Sequence, residues 1–156
     1  PMDDRLFSGI GFAKWPGRIE FIDKGKLLNY RGERPIWIDG AHNSHSATAL
    51  AASLAKITGA KWTLIAGMLE TRKPDDIFMP LKNLISEIFT ITIPGQPASL
   101  SAEELSDNCR DLGIKANAKS SLSAALSASS DSEFVVICGS LYLAGHALLL
   151  NDTLPE

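Results

Sequence analysis

Apolar residues along this chain come in short runs separated by stretches with helical spacing. Ile36–Ile38, Trp62–Ala66 and Phe134–Cys138 are continuous apolar runs of strand length, the pattern of strands buried on both faces of a parallel sheet. Glu87–Ile93 alternates instead, with Phe89, Ile91 and Ile93 on one side and Thr90 and Thr92 on the other; Ile114–Asn117 is a weaker strand. Between them, Ala47, Leu50, Ala51, Leu54 and Ala55 recur at three and four residues, which predicts a helix capped by Asn43 or Ser44 and ended by Gly59. A second helix carries Ile77, Phe78, Leu81, Leu84 and Ile85, with Asp75 or Asp76 as cap after a loop from Gly67 to Pro74. A third opens on the capping box Ser101-Ala102-Glu103-Glu104, turns Ala102, Leu105, Cys109 and Leu112 inward and stops at Gly113. Ser120–Ser130 is rich in Ser and Ala, yet Leu122, Ala125, Leu126 and Ser129 keep helical spacing, so a helix is expected there too. The last helix starts at Ser140.

The region before Ile36 differs. Residues 1–15 show no sustained period and are read as an irregular lead-in, a linker from something upstream. After the turn Pro16-Gly17-Arg18, Ile19–Ile22 and Leu27–Tyr30 are expected to pair as an antiparallel hairpin around Asp23-Lys24-Gly25-Lys26, and Arg31–Pro35 to form a second turn. Strand and helix then alternate, so the expected fold is α/β, a mostly parallel sheet with helices on both faces and the hairpin at one edge.

Composition narrows the function classes. A length of 156 residues suits one domain with a real core, and a formal net charge of −3 argues against nucleic acid as the main partner. Two cysteines, Cys109 and Cys138, far apart in sequence, fit reduced thiols in a cytoplasmic protein. No secretory signal opens the chain, although a start at Pro1 suggests a piece of a longer polypeptide. Phe134–Leu150 approaches the length of a membrane span, but Gly139-Ser140 and Gly145-His146 interrupt it; a buried strand and a buried helix explain it better, and no membrane partner is expected.

Chemistry concentrates at one junction. Asp39, His42 and Asn43 follow the Ile36–Ile38 strand within five positions, beside Gly40, at the edge where open α/β sheets bind ligands. The spacing of Asp39, His42 and His45 admits a metal site, and hence a metal-dependent hydrolase. Arg18 could present its planar fork to a phosphate or carboxylate. No G-x-x-x-x-G-K-[ST] phosphate cradle occurs, Gly9-Ile10-Gly11 lacks the rest of a dinucleotide fingerprint, and Gly139-Ser140 lacks the closing glycine of a nucleophile elbow.

Three segments together carry a resemblance. Lys14-Trp15-Pro16-Gly17-Arg18-Ile19-Glu20, Ile38-Asp39-Gly40-Ala41-His42-Asn43 and Gly139-Ser140-Leu141-Tyr142-Leu143-Ala144-Gly145 resemble, in order and spacing, signatures of the folylpolyglutamate synthase and dihydrofolate synthase family of the Mur ligase superfamily. The likeness runs from about Lys14 to Leu149 and concerns the family's Rossmann-like C-terminal domain. It implies a Mur-type C-terminal domain over residues 16–156, with residues 1–15 linking to an N-terminal P-loop ATPase domain. It also implies an ATP-dependent ligase that adds L-glutamate to dihydropteroate or folate through an acyl phosphate. Arg18 and Asp39 fall on positions that contact ATP, His42 and Ser140 on positions associated with glutamate, and Asn43 would support them; no residue of this stretch is assigned as catalytic. ATP and Mg2+ are the implied cofactors, the magnesium ligands lying mainly in the N-terminal domain. A cytoplasmic monomer, inactive by itself, is expected. Where relatives carry a lysine–aspartate pair, this chain has Thr71-Arg72-Lys73-Pro74-Asp75, and that loop receives no role. The alternatives are the hydrolase and a non-catalytic binding module on the same fold.

Overall fold

The computed structural model describes residues 19–151. The lead-in 1–15 and Pro16-Gly17-Arg18 lie outside the described residues. Six strands form one sheet: β1 (Glu20–Ile22), β2 (Ile36–Ile38), β3 (Trp62–Ala66), β4 (Ile85–Thr90), β5 (Ala116–Ala118) and β6 (Val135–Cys138). Among the described residues, four α-helices connect β2 through β6 in turn, α1 (Ser44–Ile57), α2 (Pro74–Leu81), α3 (Ala102–Asp111) and α4 (Leu122–Ala128), and α5 (Leu141–Leu150) follows β6. The strand order is β1-β2-β6-β3-β4-β5, antiparallel between β1 and β2 and parallel throughout the rest.

That order determines where a ligand can sit. The chain leaves β2 and enters β3 two places away, and β6 returns last to fill the gap. The carboxyl ends of β2, β6 and β3 are therefore neighbours, and the loops that follow them meet on one rim. Two apolar layers hold the helices to the sheet. Leu50, Leu54, Ile77, Phe78, Leu81, Leu105 and Cys109 cover one face. Leu27, Leu28, Leu122, Leu126, Leu143 and Ala147 cover the other. Val135, Val136, Ile137 and Cys138 are all fully buried, as expected for a central parallel strand with helices above and below.

The antiparallel edge is present, but its second strand is not the predicted one. Leu27–Tyr30 lies in a 3-10 helix, Lys26–Arg31, and β1 pairs instead with β2 in the register Glu20↔Ile38, Phe21↔Trp37, Ile22↔Ile36. The reason is packing. Leu27 and Leu28 are adjacent and both buried, whereas a strand would turn one of them out. Asn151 from the end of α5 fixes the segment: its Oδ1 accepts from the Leu27 N–H at 2.8 Å and its Nδ2 donates to the Lys24 carbonyl at 2.9 Å. Smaller corrections concern ends. β4 stops at Thr90, and α2 is capped by the Lys73 backbone with Pro74 in its first turn, leaving Asp75 and Asp76 as favourable first-turn charges. β5 runs over Ala116–Ala118, later than predicted.

Candidate functional site

Each wall of the site begins as a strand end. After β2 the ladder continues one step, Asp39 N–H donating to the Ile137 carbonyl at 2.9 Å, before the chain turns. The Asp39 carboxylate then accepts from the Ala41 N–H at 3.0 Å, an Asx turn that brings His42 to the rim. α1 starts with a reciprocal cap. Asn43 Oδ1 accepts from the Ser46 N–H at 2.8 Å, while Ser46 Oγ accepts from the N–H groups of His42 and Asn43 at 3.0 and 3.1 Å. Ser46 thus performs the task usually given to Glu or Gln at the third helical position.

The His42 ring is oriented by its own turn, with Nδ1 2.8 Å from the Gly40 carbonyl. A carbonyl only accepts, so Nδ1 carries hydrogen and Nε2 remains for a ligand. After β6, Gly139 adopts φ +110°, and a Cβ there would stand 2.5 Å from the Gly67 carbonyl oxygen. Only glycine allows the loops after β6 and β3 to approach this closely. The Gly139 N–H also donates to the Ala41 carbonyl at 3.0 Å, tying in the loop after β2. Ser140 caps α5, its Oγ accepting from the Tyr142 N–H at 3.0 Å.

A pocket of about 260 Å³ opens where these loops meet. His42, Arg72, Ser140 and Tyr142 supply its polar lining, and Leu69, Leu141 and Gly139 the remainder. Among the described residues no carboxylate lines it. Its character is that of a small anion site with a hydrogen-bond acceptor at His42 Nε2.

The sequence-predicted residues are thus partly assembled. His42 and Ser140, far apart in the chain, share the pocket. Asp39 sits behind them, 5% exposed and outside the lining. Burial pushes its carboxyl up to about 6, against the lowering effect of the Ala41 and Gly40 N–H groups. Asn43 is engaged as helix cap. Arg18 precedes the described residues. Arg72, which the sequence reading left without a role, joins the pocket; its only advance signal was a cation in the loop after Gly67-Met68-Leu69. His45 is exposed on the first turn of α1, and among the described residues no three His, Cys, Asp or Glu side chains are placed to hold a metal ion. The hydrolase alternative therefore lacks its ligand set there. Cys109 and Cys138 are buried, and desolvation pushes both thiols up, away from nucleophilic use. No helix among the described residues is long and apolar enough to cross a membrane.

A doubly wound α/β domain with an anion-suited pocket at its topological switch point is thus defined by geometry. Comparison with known proteins specifies it further: the family model for the dihydrofolate synthetase C-terminal domain matches residues 27–150, and the chain belongs to that family. It is 30% identical over 136 residues to the folylpolyglutamate synthase of Lacticaseibacillus casei, covering 87% of this chain and 29% of that protein. Among solved structures, Mycobacterium tuberculosis folylpolyglutamate synthase complexed with ADP and AMPPCP superposes with a TM-score of 0.73 at 24% identity, covering 91% of this chain and 33% of that one. E. coli FolC in complex with ADP gives 0.69 at 22% identity, with coverages of 88% and 32%. A bifunctional folylpolyglutamate synthase/dihydrofolate synthase with Mn, AMPPNP and L-glutamate bound gives 0.68 at 24%, covering 86% of this chain and 31% of that one. The chain spans about a third of the length of these relatives, and the structural likeness establishes the fold.

Proposed function

We propose that this chain serves as the C-terminal domain of an ATP-dependent ligase that joins L-glutamate to dihydropteroate or folate through an acyl phosphate. The observation that carries the reading is the pocket in which His42, Ser140 and Arg72 converge from three separate strand ends, with no carboxylate among its described lining residues. On this reading the glutamate carboxylates pair with the Arg72 guanidinium and the Ser140 hydroxyl, and its ammonium group donates to His42 Nε2. Asn43 supports His42 by holding the turn that carries it.

ATP, when bound, supplies the phosphoryl group that activates the acceptor carboxylate. The residues present suit a nucleotide at the rim. Asp39 offers a carboxylate acceptor for hydroxyl groups, and the register Glu20↔Ile38 brings Ile19, the residue after Arg18, to the same end of the sheet. Arg18 and Asp39 are accordingly the proposed ATP contacts. The phosphate cradle and most ligands for Mg2+ come from an N-terminal P-loop domain, to which residues 1–15 lead and against which residues 16–156 close. The working unit is a cytoplasmic monomer, and the 156 residues by themselves do not catalyse.

A chimera tests this. With this chain in place of the matching part of the Lacticaseibacillus casei enzyme, His42→Ala and Ser140→Ala should each raise the KM for glutamate about tenfold or more, the cost of one charge-assisted hydrogen bond, and leave the KM for ATP unchanged. Unaltered glutamate kinetics in both variants would remove the site assignment. Glutamate addition by the 156-residue chain without a P-loop domain would refute its inactivity.

A further inference from the structure

A second cavity, of about 430 Å³, lies on the sheet face covered by α4 and α5. Both cavities draw on α5: Tyr142 lines the first, and His146, one helical turn later, lines the second. Its base is apolar, with Leu27, Leu122 and Leu150 in the lining. Its polar groups are Lys26 and Tyr30 from the 3-10 helix, Ser121 and Ser123 from the start of α4, and His146, and among the described residues no carboxylate lines it. His146 is half-buried, and among the described residues no hydrogen bond or ion pair engages its ring. A half-buried polar ring without a partner among the described residues is available to a partner from outside.

We infer that this cavity binds a small carboxylate with an apolar body, the body against Leu27, Leu122 and Leu150 and the carboxylate against His146 and the neighbouring hydroxyls. The volume is that of an ordinary small-molecule site, mainly apolar with a few convergent polar groups. The alternative of a bare inorganic anion is disfavoured by the leucine base, which such an ion would leave dry and uncovered. Burial lowers the His146 imidazole below its ordinary range. A bound carboxylate favours the imidazolium, so binding should tighten as pH falls. The other titratable groups lining the cavity are Lys26 and Tyr30. The inference is independent of the ligase reading, because this cavity and the candidate glutamate pocket share no lining residue.

The chain has three histidines, so ring-labelled protein gives three resonances to follow by NMR, assigned through His146→Gln and His42→Gln. Benzoate is the probe. It should move the His146 signal saturably, raise its pKa by about one unit and so bind about fivefold more tightly at pH 5.5 than at pH 8. Ser123→Glu places an acid in the cavity and should abolish the response while His146 still reports. L-glutamate serves as the contrast and should move His42 alone. A His146 signal indifferent to benzoate, a benzoate shift confined to His42, or an unchanged response in Ser123→Glu would each overturn the inference. Failure of the glutamate arm alone would count against the ligase reading and leave this one standing.

Discussion

Arg31 and the rim residues His42, Ser140 and Arg72 present the same chemistry in opposite states. Arg31 is fully buried, yet every bond it makes ends on the chain itself. Its Nε and Nη2 donate to the Pro35 carbonyl at 3.2 and 2.9 Å, and Nη1 to Ser129 and Ser132 at 2.8 and 3.0 Å. A weaker bond from Nη2 reaches Glu133 at 3.4 Å. The guanidinium thus clamps the turn before β2 to the segment before β6, and nothing remains for a ligand. At the rim, the fixed groups stop short: His42 spends one ring nitrogen on Gly40 and keeps the other, and Arg72 stands exposed beside a cavity. Polar groups satisfied within the chain are scaffold, and those aimed into empty space are where a ligand contributes.

The largest expected effect lies on the scaffold side. Arg31→Met removes a donor from four carbonyls, of which that of Ser129 keeps the Ser132 N–H, and should cost about 3–5 kcal/mol, enough to threaten folding of a domain this size. Desolvation and the nearby Arg34 lower the Arg31 guanidinium to about 10, still well above neutrality, so the clamp is charged at working pH. Urea denaturation followed by circular dichroism reads the loss. A cost below about 1 kcal/mol would mean that the carbonyls find water instead, and the distinction drawn above would fail at its scaffold end.

Sequence and structure agree where apolar runs were long enough to specify an element without help. β3, α1 with its Asn43 cap, α5 with its Ser140 cap and the capped start of α3 were all readable locally. The 3-10 helix was not, because four residues rich in leucine suit a strand as well until Asn151, more than a hundred positions away, fixes them. Arg31-Gly32-Glu33-Arg34-Pro35 reads as an ordinary turn, and nothing in it reveals that one arginine faces inward and the other outward. The convergence of His42 with Ser140 was legible only through a resemblance. Its physical cause, the contact of Gly139 with Gly67, joins residues that no local pattern connects. Arg72 shows the same limit: its type was visible, its direction was not.

A middle-sized effect tests the boundary between the two classes. Asp39 is buried like Arg31 but lies at the rim, and burial raises its carboxyl from 3.8 to about 6. A carboxyl whose native value exceeds its unfolded value contributes stability that is fully present below about pH 3.8 and is lost as pH rises through about 6. Above that the ionised side chain disfavours the fold by up to about 3 kcal/mol, two pKa units' worth. Asp39→Asn should therefore gain about 1–2 kcal/mol at pH 8 and flatten the stability profile between pH 4 and 6, as read by urea midpoints across that range. No gain at pH 8 would show that a cation already compensates the carboxylate in the free protein, and Asp39 would join the scaffold.

The smallest stability change should accompany the clearest loss of binding, and it falls at Arg72. Its side chain is exposed, and no hydrogen bond or ion pair occupies its guanidinium among the described residues. Arg72→Ala should therefore shift the unfolding free energy by no more than about 0.5 kcal/mol, the usual range for a surface substitution away from packing. The same change removes the guanidinium charge from the pocket lining. The glutamate-induced shift of the His42 ring should then vanish. Arg72→Lys should restore part of it, because a point charge replaces the electrostatic attraction but not the two-pronged geometry. Both outcomes are read in one NMR titration alongside one denaturation curve. If stability fell by several kcal/mol while the glutamate response survived, Arg72 would be scaffold like Arg31, and the pocket would have to draw its anion affinity from elsewhere on the rim.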